Sequence, residues 1–306
     1  MTFKLTILGS NSALPAYGRN HTSQILEAGK CTFMIDCGEG TQIRLSTFKI
    51  KSFKIDYIFI SHLHGDHYLG LVGLLKSMHL LKRTKELYLF GPNGLQEIIT
   101  TQLKYSQTHL NYNIVFKQTN SSTTEILFEN NNIVVSSFPL DHRIPCNGFL
   151  FKEKEKPRKL IKDKLPEDLS LVNIGRLKRG EDALDDEGKV IYKNQELTIA
   201  PKKSRSYAYC SDTRYNEALL NHISNVSLLY HEATFLEEAE LRASKTYHST
   251  ASQAAILAKK ANVEQLIIGH FSARYKDITP FKVEAMKYFK NTSLAIEGQS
   301  FELLEE

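Results

Sequence analysis

Residues 61–67 read Ser61-His62-Leu63-His64-Gly65-Asp66-His67, so three imidazoles and one carboxylate fall within six positions. Imidazole nitrogen and carboxylate oxygen are donors that Zn²⁺ and related divalent ions accept. His62 and His64 are two apart, and an extended backbone sends both side chains to the same side. Gly65 lets the chain turn after them, which presents Asp66 and His67 to a second, neighbouring position. A lone histidine is commonplace in a core or on a surface. Four potential ligands at this spacing point to metal binding.

Two metals need more ligands than one motif supplies. Elsewhere one context repeats, an apolar run ending in His or Asp. SSFPL leads to Asp141-His142, SYAYCS to Asp212, SLLY to His231-Glu232 and LIIG to His270. Open α/β sheets gather ligands at the carboxyl ends of their strands, so these positions can converge on one rim. His248, in TYHST ahead of a helix, is either a neighbour of a helix cap or a site residue. Spacing alone leaves His142, His231, His248 and His270 all open as ligands. His21, His79, His109 and His222 lack such a context and read as structural.

The elements that must carry these residues are legible as alternation. FKLTILG, TFMID, KIDYIFI, LYLF, NIVVSSF, SYAYC, VSLLY and LIIG are rich in β-branched and aromatic residues and read as strands. LGLVGLLKSMHLLKR, GLQEIITTQLKY, TASQAAILAKKAN and TPFKVEAMKYFK carry helical periodicity. Asn262 suits the end of the third, and Thr279-Pro280 opens the fourth as a cap followed by proline. Strand–helix alternation predicts an α/β core with helices outside the sheets.

With 306 residues, 42% hydrophobic and 24% charged, the chain can bury a large core, which excludes disorder and collagen-like repetition. No uncharged apolar stretch of about 18 residues exists, which excludes a membrane-spanning helix. The start, MTFKLTILGS, lacks the apolar core and cleavage site of a secretory signal. Cys31, Cys37, Cys146 and Cys210 form no Cys-x-x-Cys, so a disulfide framework is not expected and a reducing cytoplasm is. The parse is a single domain over residues 1–306, interrupted by an inserted arm at 151–188 with the apolar core resuming near Val190. Residues 152–179 hold ten basic and five acidic side chains, which accounts for the chain's whole net charge of +5. Such a run is either a solvated excursion or a contact surface for a polyanion.

HLHGDH resembles the signature of the metallo-β-lactamase superfamily. LGSNSALPAYGRNHTSQIL, IDCGEGTQ, Lys178-Arg179-Gly180-Glu181, AYCSDTR, HEATF and GHFSARY, in that order over nearly the full length, resemble the ribonuclease Z family of tRNA 3′-processing endonucleases. The resemblance implies an αβ/βα four-layer sandwich with a projecting basic arm and two Zn²⁺ ions per subunit, with Mn²⁺ or another divalent ion able to substitute. Carried over residue by residue, His62, His64 and His142 hold one ion. Asp212 bridges, and Asp66, His67 and His270 complete the second site. Asp66 and His231 become the catalytic pair. Asp66 orients the attacking water and accepts its proton, and His231 assists the leaving group with Glu232 beside it. The substrate implied is precursor tRNA, cut after the discriminator base to leave a 3′-hydroxyl on the tRNA and a 5′-phosphate on the trailer. The arm, through Lys152, Lys154, Lys156, Arg158, Lys159, Lys162, Lys164, Lys178 and Arg179, becomes a tRNA-binding exosite of a cytoplasmic homodimer. SLVNIGRLKRGE departs from many bacterial members, whose arms carry a Gly-Pro pair before KRGE. Rival readings are another phosphodiesterase or lactonase of the same fold, and an RNA-binding protein with a dead metal site.

Overall fold

The computed structural model describes residues 2–305, which divide into two compact units. One comprises the chain up to Lys152 together with Arg205–Leu303, and the other comprises Glu153–Ser204 with the last residues from Leu304. None of the helices among the described residues is long and apolar enough to cross a membrane.

The larger unit is built on two seven-stranded mixed sheets. The first contains β1 (Phe3–Gly9), β2 (Ser23–Ala28), β3 (Cys31–Cys37), β4 (Tyr57–Phe59), β5 (Leu87–Gly91) and β6 (Ile114–Gln118), with β18 (Ser300–Glu302) on the edge beside β1. The second orders β17 (Thr292–Leu294), β16 (Gln265–Gly269), β15 (Leu228–Glu232), β14 (Ser206–Cys210), β9 (Asn147–Glu153), β8 (Ile133–Pro139) and β7 (Glu125–Glu129). Each sheet contains a parallel run, β3 to β6 in one and β14 to β17 in the other.

Side-chain alternation along the strands sets the layers. Tyr207, Tyr209 and Tyr230 face the inter-sheet core with Phe33, Phe59, Phe149 and Phe151. Phe59 of the first sheet lies 5.4 Å from Phe149 of the second. Burying each such ring stabilises by about 1.5–3 kcal/mol. Ala208 and Cys210 point the other way, into the cluster that also holds Ala251, Ala254, Ala255 and Ala258 of a helix packed on β15 and β16. Outside the first sheet lie α1 (Thr41–Thr47), α2 (Gly65–Tyr68), α3 (Leu71–Leu80) and α4 (Leu95–Tyr105). The smaller unit holds α5 (Leu171–Lys178) and α6 (Asn194–Leu197), and α7 (Leu220–Ile223), α8 (Glu240–Lys245), α9 (Ala251–Lys260) and α10 (Thr279–Ala285) follow it in the chain.

Local chemistry explains the boundaries that matter to the site. The predicted helix from Leu69 is broken at Gly70, where a Cβ would collide with the Gly38 carbonyl oxygen. The chain after the histidine motif is thereby seated on the end of β3. A capping box formed by Thr250 and Gln253 starts α9 two residues after His248. Asn262, in the left-handed region, follows its end. Thr279 lies inside the first turn of α10 rather than capping it, and its N–H is held by Asp277 Oδ1 at 2.9 Å.

The smaller unit has its own core of Leu177, Ala183 and Leu197, joined by Leu160, Leu165, Leu169 and Tyr192. Two ribbons brace it, β10 (Lys159–Leu160) with β13 (Thr198–Ile199), and β11 (Ala183–Leu184) with β12 (Val190–Tyr192). The expected boundary at 188 therefore falls inside a hairpin. Val190 returns to pair with Leu184 and is exposed there, and the main core resumes only at Ser206. Of the arm's expected contact residues, Lys152, Lys159, Lys162, Lys164, Lys178 and Arg179 are exposed, and Lys154 is half-buried. Lys156 is paired with Glu305 at 2.6 Å, Arg158 is bonded to Thr198 Oγ1 at 2.7 Å, and Arg179 is paired with Glu181 at 2.9 Å.

Candidate metal centre

The parallel strands of the two sheets deliver their carboxyl ends to one rim. Asp36 lies near the end of β3, Ser61 and His62 just beyond β4, Asp212 beyond β14, Glu232 at the end of β15 and His270 beyond β16. His142 follows β8, and Asp66 and His67 lie in the single turn α2. Asp36 and His270 adopt φ of 53° and 62°, left-handed conformations that cost non-glycine residues energy and concentrate at functional sites.

Seven side chains meet as two donor sets. In the first, His64 Nδ1 lies 3.0 Å from His62 Nε2 and 3.1 Å from His142 Nε2. Asp212 Oδ2 lies 3.6 Å and 3.8 Å from the latter two nitrogens. In the second, His67 Nε2 and His270 Nε2 are 3.3 Å apart, and Asp66 Oδ2 is 3.4 Å from each. Asp212 Oδ1 completes it at 3.3 Å and 3.2 Å. Ligand bonds of about 2.0–2.2 Å put tetrahedral donors roughly 3.3–3.6 Å apart; the second set, at 3.2–3.4 Å, lies close to that spacing, and the first scatters around it from 3.0 to 3.8 Å. The two oxygens of Asp212 serve one set each.

The outer nitrogens fix which ring atom faces inward. His67 Nδ1–H donates to Asp36 Oδ2 at 2.7 Å, and His142 Nδ1–H donates to the Tyr247 carbonyl at 3.1 Å. Asp36 also accepts from Ser61 N, Ser61 Oγ and Tyr209 Oη, at 2.7, 2.9 and 2.6 Å. It is the buried acceptor around which the first motif is organised. Such outer partners orient ligating imidazoles.

Electrostatics agree with a cation site. Burial opposes charge on Asp212, yet His270, His67 and His62 hold its carboxyl well below the usual range. Burial also opposes charge on Asp66, and His67 and His270 hold it low. Burial and the neighbouring His67 push His62 well below its ordinary value, while burial followed by the neighbouring His142 lowers His64. His67 goes the other way. Burial disfavours its charge, but Asp212, Asp66 and Asp36 raise it well above the ordinary value. The carboxylates thus demand positive charge where an ion would sit. Asp212 Oδ1 is buried without a hydrogen-bond partner, the condition of an atom shaped for a metal.

His231 and His248 divide the roles that spacing leaves open. His231 is fully buried, with Nδ1 2.7 Å from the Glu232 carbonyl oxygen, and it does not line the cavity. His248 does line it. Its Nδ1 is 2.9 Å from Glu232 Oε1 and 4.0 Å from Asp212 Oδ2, and His248 forms a third possible donor group with Asp212 and His270. Burial lowers the proton affinity of His248, but Glu232 outweighs it and the imidazole is raised to about 9. Glu232 also accepts from Thr213 N, Ser249 N, Thr234 N and Thr234 Oγ1, tying the Asp212, His248 and His270 loops together.

The cavity above the donors has a volume of about 590 Å³. Arg143, Arg242 and Arg274 are among its lining residues and are exposed. Leu14, Pro15 and Phe235 supply apolar walls. Residue spacing marks neither Asp36 nor the cavity-lining His21, and it sets Glu232 only beside His231. The signals for Asp36 are a charge inside the apolar run TFMID and its place in the motif IDCGEGTQ.

A family model described as Anti-Pycsar protein Apyc1 matches residues 3–158. The chain is 52% identical over 301 residues to a ribonuclease Z of Cytophaga hutchinsonii, covering 98% of this chain and 96% of that protein. It is 44% identical over 301 residues to a ribonuclease Z of Bacteroides fragilis, covering 97% of each. Among solved structures, human tRNase Z, short form (ELAC1), superposes with a TM-score of 0.71 at 25% identity, covering 97% of this chain and 98% of that one. The metallo-β-lactamase fold protein YhfI of Bacillus subtilis has a TM-score of 0.69 at 16% identity, covering 99% and 100%.

Proposed function

The chain belongs to the ribonuclease Z family and has the metallo-β-lactamase fold, and from that premise we propose that it is a metal-dependent endoribonuclease that trims 3′ trailers from precursor tRNA. The cut leaves a 3′-hydroxyl on the tRNA and a 5′-phosphate on the trailer. One observation carries the reading: two donor sets sharing Asp212 adjoin a cavity whose lining includes three exposed arginines. A neutral lactone or thioester carbonyl offers such arginines only a neutral acceptor, whereas a phosphodiester offers anionic oxygens and the stronger charge-assisted bond.

His62, His64, His142 and Asp212 would hold one divalent ion, and Asp66, His67, His270 and Asp212 the other, with zinc favoured by the nitrogen and oxygen donors. Ions bound there supply Lewis acidity towards phosphoryl oxygens and a lowered pKa for water. Asp66, a donor that also lines the cavity, orients the attacking water and takes its proton. His248 replaces His231 as the group that protonates the departing ribose 3′-oxygen. It faces the cavity, and Glu232 keeps it charged near neutral pH.

The exposed lysines of the smaller unit serve as an exosite that binds tRNA phosphates largely without regard to base sequence. The four cysteines are free, which agrees with a cytoplasmic setting, and the working form is a homodimer. Incubation with a 3′-extended precursor tRNA, followed by mapping of both product ends, tests the proposal. A product end elsewhere than at the discriminator base, or no cleavage by the metal-loaded protein, overturns it.

A further inference from the structure

Each donor set contains an imidazole whose outer nitrogen meets a hydroxyl, and each hydroxyl in turn meets a buried carboxylate. Thr234 Oγ1 lies 2.9 Å from His270 Nδ1 and 2.9 Å from Glu232 Oε2. Ser61 Oγ lies 3.0 Å from His62 Nδ1 and 2.9 Å from Asp36 Oδ2. Thr234 and Ser61 are 3% and 0% exposed, so water does not compete for these bonds. A hydroxyl has one proton to give. The carboxylate is the stronger acceptor, because a charge-assisted bond is roughly twice as strong as a neutral one. Each hydroxyl therefore donates to its carboxylate and must accept from the imidazole Nδ1–H.

The geometry points to Thr234 and Ser61 as positioning residues, one for each metal position. Through the hydroxyl, Glu232 dictates the tautomer of His270, and Asp36 dictates that of His62. In both cases the Nε2 lone pair is turned towards the donor set. A ring with the opposite tautomer would present N–H to the ion and could not bind it. The inference rests on the dimetal reading of the site, and its selectivity goes further. Loss of one hydroxyl weakens one ion and leaves the other.

The test titrates Zn²⁺ against a competing chelator in the full chain. His270→Ala and His142→Ala mark which equivalent belongs to which set. Thr234→Val keeps the shape of the side chain and removes only the hydroxyl. It is expected to weaken the equivalent that His270→Ala abolishes by about 10–100-fold, while the other holds. Thr234→Ser restores the hydroxyl and wild-type affinity. Ser61→Ala does the reverse, weakening the equivalent that His142→Ala abolishes. Wild-type protein that takes up fewer than two ions overturns the dimetal reading, and the inference falls with it. Wild type with two ions and a Thr234→Val variant that binds both normally overturns the inference alone. So does a Thr234→Ser variant as weak as Thr234→Val, or equal weakening of both equivalents by either hydroxyl deletion.

Discussion

His231 and Glu232 are adjacent on β15 and face opposite layers of the sandwich. His231 shares its side with Leu229, which packs against the helices, and Glu232 shares its side with Tyr230, which faces the inter-sheet core. Only Glu232 reaches the site, and through it His248.

This separation yields opposite phenotypes. His248→Ala is expected to lower kcat by about 10²–10⁴-fold with little change in tRNA affinity. His231→Ala is expected to destabilise by about 1–3 kcal/mol while the folded fraction keeps its turnover. Thermal denaturation beside single-turnover cleavage separates the two, and a normal rate in His248→Ala would return the proton-transfer role to another group.

The pH dependence follows from the sign of the His248 shift. Its folded value of about 9 lies above the ordinary 6.5, so the acidic form is present at lower pH and is lost as pH rises through about 9. Cleavage rate should fall on that limb. In His248→Ala the residual rate should show no such limb in a pH–rate profile.

Metal removal and ligand loss have distinct expected counts. Chelation should abolish cleavage, and re-addition of Zn²⁺ or Mn²⁺ should restore it. Asp212→Ala should weaken both ions because its two oxygens serve both donor sets, whereas His142→Ala should weaken one. Elemental analysis of each variant gives the count, and retention of two tight ions by Asp212→Ala would contradict the bridging role.

Asp66→Ala should lower cleavage by about 10²–10⁴-fold and spare tRNA binding, since the fold and the arm are untouched. Filter binding alongside cleavage checks it. Near-normal turnover would remove Asp66 from the chemistry.

Replacing Lys159, Lys162 and Lys164 with Ala should weaken tRNA binding. The log–log salt slope should flatten by about 0.7–0.9 for each phosphate that is no longer neutralised. An unchanged slope would make the arm a plain solvated excursion. Hydrolysis of a small phosphodiester should not respond to these substitutions.

Much of the site is legible in the sequence because metal ligands are few in type and sit where strands end. FKLTILG marks β1 and SYAYC marks β14 residue for residue. SQILEA and EILFE carry glutamates that dilute a strand pattern, which hides β2 and β7. The expectation for His231 fails on alternation. Two polar neighbours at a strand end look equivalent until the packing partners of each face are known. The arm's far limit is hidden because three separated apolar residues, Leu177, Ala183 and Leu197, gather into a small core of their own rather than extending the main one.

Lys152 and Ser206 are paired across β9 and β14, although 53 residues intervene in sequence. The chain leaves for the arm and returns from it at one end rung of a single antiparallel ladder. A tight turn in its place would turn those two strands into an ordinary hairpin. Replacing residues 153–205 with another segment therefore needs only that one junction to be kept.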